Sequence, residues 1–380
     1  MISHNKNTIN AYVVCAVFLI VLILPTLLFP FIKEYIDTEN HENRELAPKP
    51  EFNVEEYNEF PDEYENYFND HLAFKNQFVK ANAFIDMHLF KKLSSDKVIL
   101  GKDNWLFYKN TDDGDPLSCY KGTNLLTEDE LKVYADILTQ TSENLKIHGK
   151  EFVLLLAPNK EQVYSEYMPS NVKVISDFSR CDQLYKYLTE NTNVKVVYPF
   201  KEMLQEKSNH QLYHKYDTHW NSLGSFIGEQ QLLEVLTGER LYLDDINYYS
   251  DGKANCDLAT MAKITEMLPK QQNIRIEDYH KGVSATLTEQ TDGEFYQKYV
   301  SNSKNDQKAL ILGDSFRSEM TKNLPCNFAE TVFIHYDYVD KETFNPLDSD
   351  VIILETVERY LPHIERHCST INNGIAKNLH

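Results

Sequence analysis

The sequence predicts an α/β fold, a three-layer sandwich around a mostly parallel sheet, preceded by one N-terminal transmembrane helix. Three observations carry this. Short apolar runs such as "EFVLLLA", "ALILG" and "DVIIL" read as strands buried on both faces. They alternate with longer amphipathic stretches, which implies right-handed β-α-β crossovers and helices on both sides of a sheet. An uncharged stretch from Asn7 to Ile32 stands ahead of all of them.

In that stretch, Ala11 to Ile32 is almost wholly apolar and long enough to cross the hydrocarbon core as a helix. Pro25 and Pro30 weaken its outer end. No small-x-small cleavage site follows, so residues 10–32 read as an uncleaved signal anchor. Residues 1–9 are then a short cytoplasmic tail, with the larger body outside. Residues 37–52 are polar and contain proline, as a tether would. From 54 to 93, Tyr57, Phe60, Tyr64 and Tyr67, then Phe74, Phe78, Ala81 and Ile85, recur at helical spacing. Residues 33–95 together are therefore a juxtamembrane tether with helices.

The main folded body is expected over 96–380. Residues 97–108 predict two short strands around Gly-Lys-Asp-Asn. A helix follows, opened by a capping box from Thr127 to Glu130 and closed near Gly149. Next come the strand "EFVLLLAP", a helix over 177–191, the strand "VKVVYPF" and a helix over 221–238. "ALILGDS", "ETVFIHYDY" and "DVIILET" supply the remaining strands. Residues 250–306 break the rhythm with polar sequence and read as an insertion.

Composition narrows the function. The chain is 42% hydrophobic and 25% charged, an ordinary globular balance. A net charge of -20 without any Lys/Arg cluster argues against nucleic acid as a partner. Of six cysteines, Cys15 lies in the apolar span, and the other five are widely spaced without Cys-x-x-Cys. That argues against a zinc site or redox pair, and leaves both free thiols and one or two disulfides open.

Open α/β sheets place their sites at the carboxyl ends of strands. Three polar clusters fall there: "APNK" (157–160), "YHKYDTHWN" (213–221) and "GDS" (313–315). A serine nucleophile needs a base oriented by a carboxylate. Asp217 and His219, two residues apart in an extended segment, would face the same side. Ser315 would stand on a tight turn that Gly313 permits. Its N–H and Asn159 would offer oxyanion donors. His335 and Asp337 form a rival pair. His210, His214, Asp217 and His219 could also ligate a metal, but no His-Glu-x-x-His helix supports this, and no metal or cofactor is assigned.

At these residues the sequence resembles a known family. Tyr-Asp-Thr-His-Trp-Asn (216–221) and, downstream, Leu-Gly-Asp-Ser-Phe (312–316) are similar to the SGNH-hydrolase-like polysaccharide O-acetyltransferases, the alginate group of AlgJ and AlgX. "YENYFNDHLAFK", "GKDNWLFY", "LLAPNKEQVY", "NCDLATM" and "DVIILETVERYL" resemble further blocks in the same order. The resemblance implies a triad of Asp217, His219 and Ser315, with the Asp-x-His pair before the serine, a permutation of the ordinary SGNH order. It implies an extracytoplasmic, membrane-anchored enzyme that passes acetyl through an acyl-serine to a cell-surface or secreted polysaccharide. An MBOAT-type membrane protein would supply the acyl group. The chain ends soon after "ETVERYL", without a carbohydrate-binding module, like the anchored single-domain members. On this reading Trp220, Tyr213 and Tyr216 are candidates for stacking on sugar rings, and Arg317 and Arg359 for binding the acceptor. An esterase with the same triad and a non-catalytic scaffold subunit are the alternatives.

Overall fold

The computed structural model describes residues 2–36, 46–52, 57–90, 92–339 and 344–378. It divides into two units, Met1–Lys91 and Lys92–His380.

The first unit begins with α1 (Ile2–Ile32). The stretch Ala11–Tyr35, with mean hydropathy 2.8, is the one segment among the described residues long and apolar enough to cross a membrane. Two helices follow, α2 (Phe60–Asp70) and α3 (Lys75–Ile85). Their aromatic spacing is realised as contact, with the Phe60 and Tyr64 rings stacked at 5.9 Å. Pro61 starts α2, where no intrahelical N–H is required. Most of the expected tether lies outside the described residues.

The second unit opens with an antiparallel pair, β1 (Val98–Leu100) and β2 (Leu106–Tyr108). The remaining strands, in chain order, are β3 (Glu151–Ala157), β4 (Lys195–Val197), β5 (Tyr248–Lys253), β6 (Gln272–Ile276), β7 (Ala285–Gln290), β8 (Tyr296–Ser301), β9 (Lys308–Gly313), β10 (Glu330–His335) and β11 (Val351–Val357). The helices between them are α4 (Pro116–Lys121), α5 (Glu128–Ile147), α6 (Lys160–Val163), α7 (Arg180–Asn191), α8 (Phe200–Glu206), α9 (Ser222–Thr237), α10 (Asp257–Met261) and α11 (Arg317–Met320). Last comes α12 (Ile364–Lys377). The predicted capping box opens α5, with Glu130 N–H donating to Thr127 Oγ1 at 3.3 Å and Thr127 N–H to the Glu130 carboxylate at 2.8 Å.

The main sheet runs β4-β3-β11-β9-β10-β8-β7. The first five are mutually parallel, and β8 and β7 add an antiparallel edge. Val153, Leu155 and Ala157 face a core shared with Trp220, Phe226 and Phe316. Phe152, Leu154 and Leu156 face the opposite core with Leu138, Leu184 and Ile371. Both faces of β3 are thus covered, which is why its sequence carries no polar alternation.

Residues 250–306 are more integral than an insertion. The segment contributes β7 and β8 to the main sheet, and β6 to a separate ribbon with β5. Its polar composition follows from position, since β5 and most of β7 are exposed. All six cysteines are free thiols. Burial drives the Cys119 thiol up to about 12.

Candidate active site

The strand β9 delivers Gly313-Asp314-Ser315 to the carboxyl end of the sheet, where the chain turns into α11. A Cβ at residue 313 would lie 3.0 Å from the Glu355 Cβ and closer still to its carboxylate, so glycine is required for β9 and β11 to approach. Asp314 fastens the turn. Its carboxylate accepts the Phe316 N–H at 2.8 Å and the Val357 N–H at 2.7 Å, while its own N–H donates to Glu355 Oε2 at 3.0 Å. Glu355 is fully buried, and burial, then the Asp314 charge, push its carboxyl well above the usual range.

Opposite this turn lies the segment 212–221. An antiparallel bridge joins Tyr213 to Trp220, His214 N–H donates to His219 O at 3.1 Å, and Asn221 N–H donates to Leu212 O at 2.9 Å. Asp217 and His219 sit at the tip. Asp217 Oδ1 accepts both the His219 N–H at 3.0 Å and the imidazole Nδ1–H at 2.7 Å. The pair faces one way because of this Asx-type turn, not because of the strand pleat expected from spacing. With Nδ1 donating to Asp217, Nε2 is the acceptor, and it lies 2.7 Å from Ser315 Oγ.

The loop is held from below by Lys160. Its ammonium is buried and donates to the carbonyls of His214, Lys215 and Asp217 at 3.0, 3.2 and 2.6 Å. It also lies 5.3 Å from the Phe107 ring centroid. Burial lowers its pKa to about 8.

A further carboxylate enters from α10. Asp257 takes the Thr218 N–H at 2.8 Å and the Thr218 hydroxyl at 2.7 Å, donates its own N–H to Asp217 Oδ2 at 2.9 Å, and stands 3.8 Å from His219 Nδ1. Burial, then the Asp217 charge, raise its pKa to about 6. Burial opposes a charged His219, but the hydrogen bond and charge of Asp217, helped by Asp257, outweigh it and raise the imidazole pKa. The same contacts overcome burial at Asp217 and hold that carboxyl well below its ordinary range. Asp217, His219 and Asp257 are also the potential metal ligands that converge within 4.8 Å among the described residues, without His210 or His214. Their oxygens are already taken by the hydrogen bonds above, and His210 Nδ1 is 3.0 Å from the Tyr248 hydroxyl.

Several residues expected to meet a substrate have other work. Trp220 and Tyr213 are 0% exposed and offer no open ring face. The Trp220 indole N–H donates to Phe316 O at 2.9 Å, and the Tyr213 hydroxyl to Pro158 O at 2.5 Å. The first locks the loop to the β9–α11 turn and the second locks it to the end of β3. Tyr216 is buried too. Arg317 spends its guanidinium on the carbonyls of Glu294 and Phe295. Arg359 is buried over the rings of Phe316 and Tyr360, at 5.3 and 4.8 Å, and forms no ion pair within 4.0 Å among the described residues. Asn159 stands at the end of β3. Its N–H donates to Glu358 Oε2 at 3.2 Å, while its carboxamide is buried without a partner among the described residues. His335 and Asp337 lie at the end of β10, and Ser315 Oγ is bonded to His219 instead. Sequence reasoning missed Asp257, Asp314, Glu355, Glu358 and Lys160. All five lie in the blocks "LLAPNK", "NCDLATM", "LGDSF" and "DVIILETVERYL", but no spacing tied their side chains to one another or to the serine hydroxyl.

Known proteins similar to this chain identify its family. Residues 98–320 match the family described as SGNH hydrolase-like domain, acetyltransferase AlgX. A Pseudomonas putida protein described as "Probable alginate O-acetylase AlgJ" is 24% identical over 323 residues, covering 78% of each chain. The structure of Bacillus cereus PatB1 with a sulfonyl adduct is similar at a TM-score of 0.50 and 16% identity, over 70% of this chain and 96% of that one. A DHHW family protein from Eubacterium siraeum also reaches 0.50, at 14% identity, over 74% and 94%. At such identities these two structures speak to the fold alone. The family match runs from β1 to the end of α11, spans more than half of the 380 residues and includes Asp217, His219 and Ser315. The chain belongs to the SGNH hydrolase-like acetyltransferase family of AlgX.

Proposed function

We propose that this protein is a membrane-anchored, extracytoplasmic O-acetyltransferase that modifies hydroxyls of a cell-surface or secreted polysaccharide through an acyl-serine. The carrying observation is the run of two 2.7 Å contacts from Asp217 through His219 to Ser315, within an acetyltransferase family. The name of the Pseudomonas putida relative supports a polysaccharide acceptor.

In the first half-reaction Ser315 Oγ attacks the donor's acyl carbonyl as its proton passes to His219 Nε2. Asp217 holds the tautomer and stabilises the imidazolium. The Ser315 N–H and the Asn159 carboxamide receive the oxyanion. The leaving group takes the proton from Nε2, and acetyl-Ser315 remains. A sugar hydroxyl then attacks that ester, giving its proton to Nε2, which returns it to Ser315 Oγ as the acetylated sugar departs. Arg359, packed over the Phe316 ring, supports the turn that presents the nucleophile. Residues 10–32 anchor the chain, 33–95 space the catalytic body 96–380 from the membrane, and an MBOAT-type protein supplies acetyl.

The test uses the full chain in detergent with a chromogenic aryl acetate, with and without an oligosaccharide. Acetylated sugar and a mass increment on the Ser315 peptide are expected, both lost in Ser315→Ala. Rapid hydrolysis with no sugar product would assign an esterase, and intact surface acetylation in cells carrying Ser315→Ala would assign a scaffold.

A further inference from the structure

The triad leaves one polar pair unused, His335 and Asp337. His335 ends β10 and pairs in register with Gly313, two residues before Ser315. On the other edge of β10, Tyr296 of β8 pairs with Ile334. The turn between β7 and β8, residues 291–295, therefore rises at the same end of the sheet as the nucleophile.

That turn is strained and firmly held. Gly293 and Glu294 have φ of 72° and 59°, a region a glutamate rarely occupies. A Cβ at residue 293 would come within 2.6 Å of the Phe295 ring. Phe295 O accepts the His335 N–H at 2.7 Å and the Arg317 guanidinium at 3.3 Å, and Glu294 O accepts from the same guanidinium at 2.8 Å. Arg317 lies two residues after the nucleophile, so the turn is strapped to the catalytic edge.

What these constraints display is apolar. Phe295 is 41% exposed and Tyr338 46% exposed, and their rings stack at 5.7 Å with planes 14° apart. His335 meets Phe295 edge-on at 5.7 Å. Its Nδ1 accepts the Asp337 N–H at 3.3 Å, which leaves Nε2–H as the ring donor. Burial and then the Arg317 charge favour this neutral form. Strain spent on exposing paired rings beside a nucleophile suits a ligand with one apolar face and a rim of hydroxyls.

We propose that Phe295, Tyr338 and His335 form a subsite for the polysaccharide acceptor. The aromatic pair stacks on the apolar face of a pyranose ring, and His335 Nε2–H donates to one of its oxygens. The subsite rests on the acetyltransferase reading and adds how the acceptor is held. Two strand spacings, about 10 Å, separate β9 from β8, so the subsite grips a sugar neighbouring the one that is acetylated.

The experiment measures calorimetric binding of cellohexaose and of an alginate hexasaccharide to the full chain carrying Ser315→Ala, in detergent. Phe295→Ala and Tyr338→Ala should each weaken binding of the hexasaccharide that is held about five- to tenfold, and Phe295→Trp should retain it. With Ser315 restored, the same alanine variants should raise the acceptor KM by a similar factor while kcat and aryl acetate hydrolysis stay unchanged. The neutral and uronate arms tell which polymer chemistry the platform accepts. Unchanged affinity in both alanine variants overturns the subsite, as does failure to bind either hexasaccharide. Self-association abolished by Phe295→Ala would give the rings to contact between copies and also overturn it. A platform that binds sugar while the wild-type chain acetylates none counts against the transferase reading alone.

Discussion

His219 carries the sharpest expectation at the scale of single residues. The base must be neutral, and Asp217 and Asp257 hold its pKa above the ordinary 6.5. The rising limb of kcat/KM for an aryl acetate should therefore lie above pH 6.5. Asp217→Asn removes the charge that raises the imidazole, so the limb should move to lower pH while the plateau falls about 10,000-fold as the tautomer is lost. Asp257→Asn should move the limb the same way and spare most of the plateau. Stability provides a second readout. The Asp257 carboxyl, raised from 3.8 to about 6, contributes stability that is full below pH 3.8 and lost as pH rises through about 6. Asp217, depressed, contributes stability present above 3.8 and lost as pH falls through its folded value. Melting curves between pH 4 and 6 should thus show the Asp257→Asn chain losing less stability with rising pH than the wild type. The sequence named Asp217, His219 and Ser315 from residue chemistry and a familiar order. It could not name Asp257, because an aspartate 40 residues beyond Asp217 acquires its role only when α10 folds against the loop.

Individual elements were legible where both faces are buried. "EFVLLLA" and "DVIILET" admit few other readings, and β3 and β11 lie side by side in the parallel part of the sheet. The edge was illegible, because β7 alternates little and is mostly exposed, so it reads as loop. The short polar helices α6 and α11 gave no period to detect. The β9–α11 junction makes a testable point at this scale. Gly313→Ala drives a methyl into Glu355 and should destabilise the chain by about 1–3 kcal/mol. Thermal denaturation of Gly313→Ala, Glu355→Ala and the double variant would check it. The double should be less impaired than the sum of the singles, since removing the Glu355 carboxylate relieves the clash. Full additivity would mean that the two strands approach for another reason.

Across the whole molecule, the proposed anchoring by the apolar N-terminal helix is open to a direct test. Val17 and Ile20 are both exposed on α1. Replacing both with arginine should cost about 3 kcal/mol per site in a bilayer and release the chain from membranes at alkaline pH. Retention of the double variant would refute anchoring by this helix. Alternation of strand and helix revealed the layers, but not the order of strands within the sheet. That order depends on which crossover reaches over which, and apolar strands of equal length carry no label for their neighbours.

The strand β11, middle of the five parallel strands and set between β3 and β9, comes last in sequence among the strands of the described residues. While the protein is being made, the two halves that will flank it must wait apart. Asn159 follows one half and Ser315 the other, and neither is fixed against its neighbour until β11 enters between them. Closure of the active site is thus tied to translation past Val357, and a chain stopped before residue 351 should emerge inert however well its earlier segments fold.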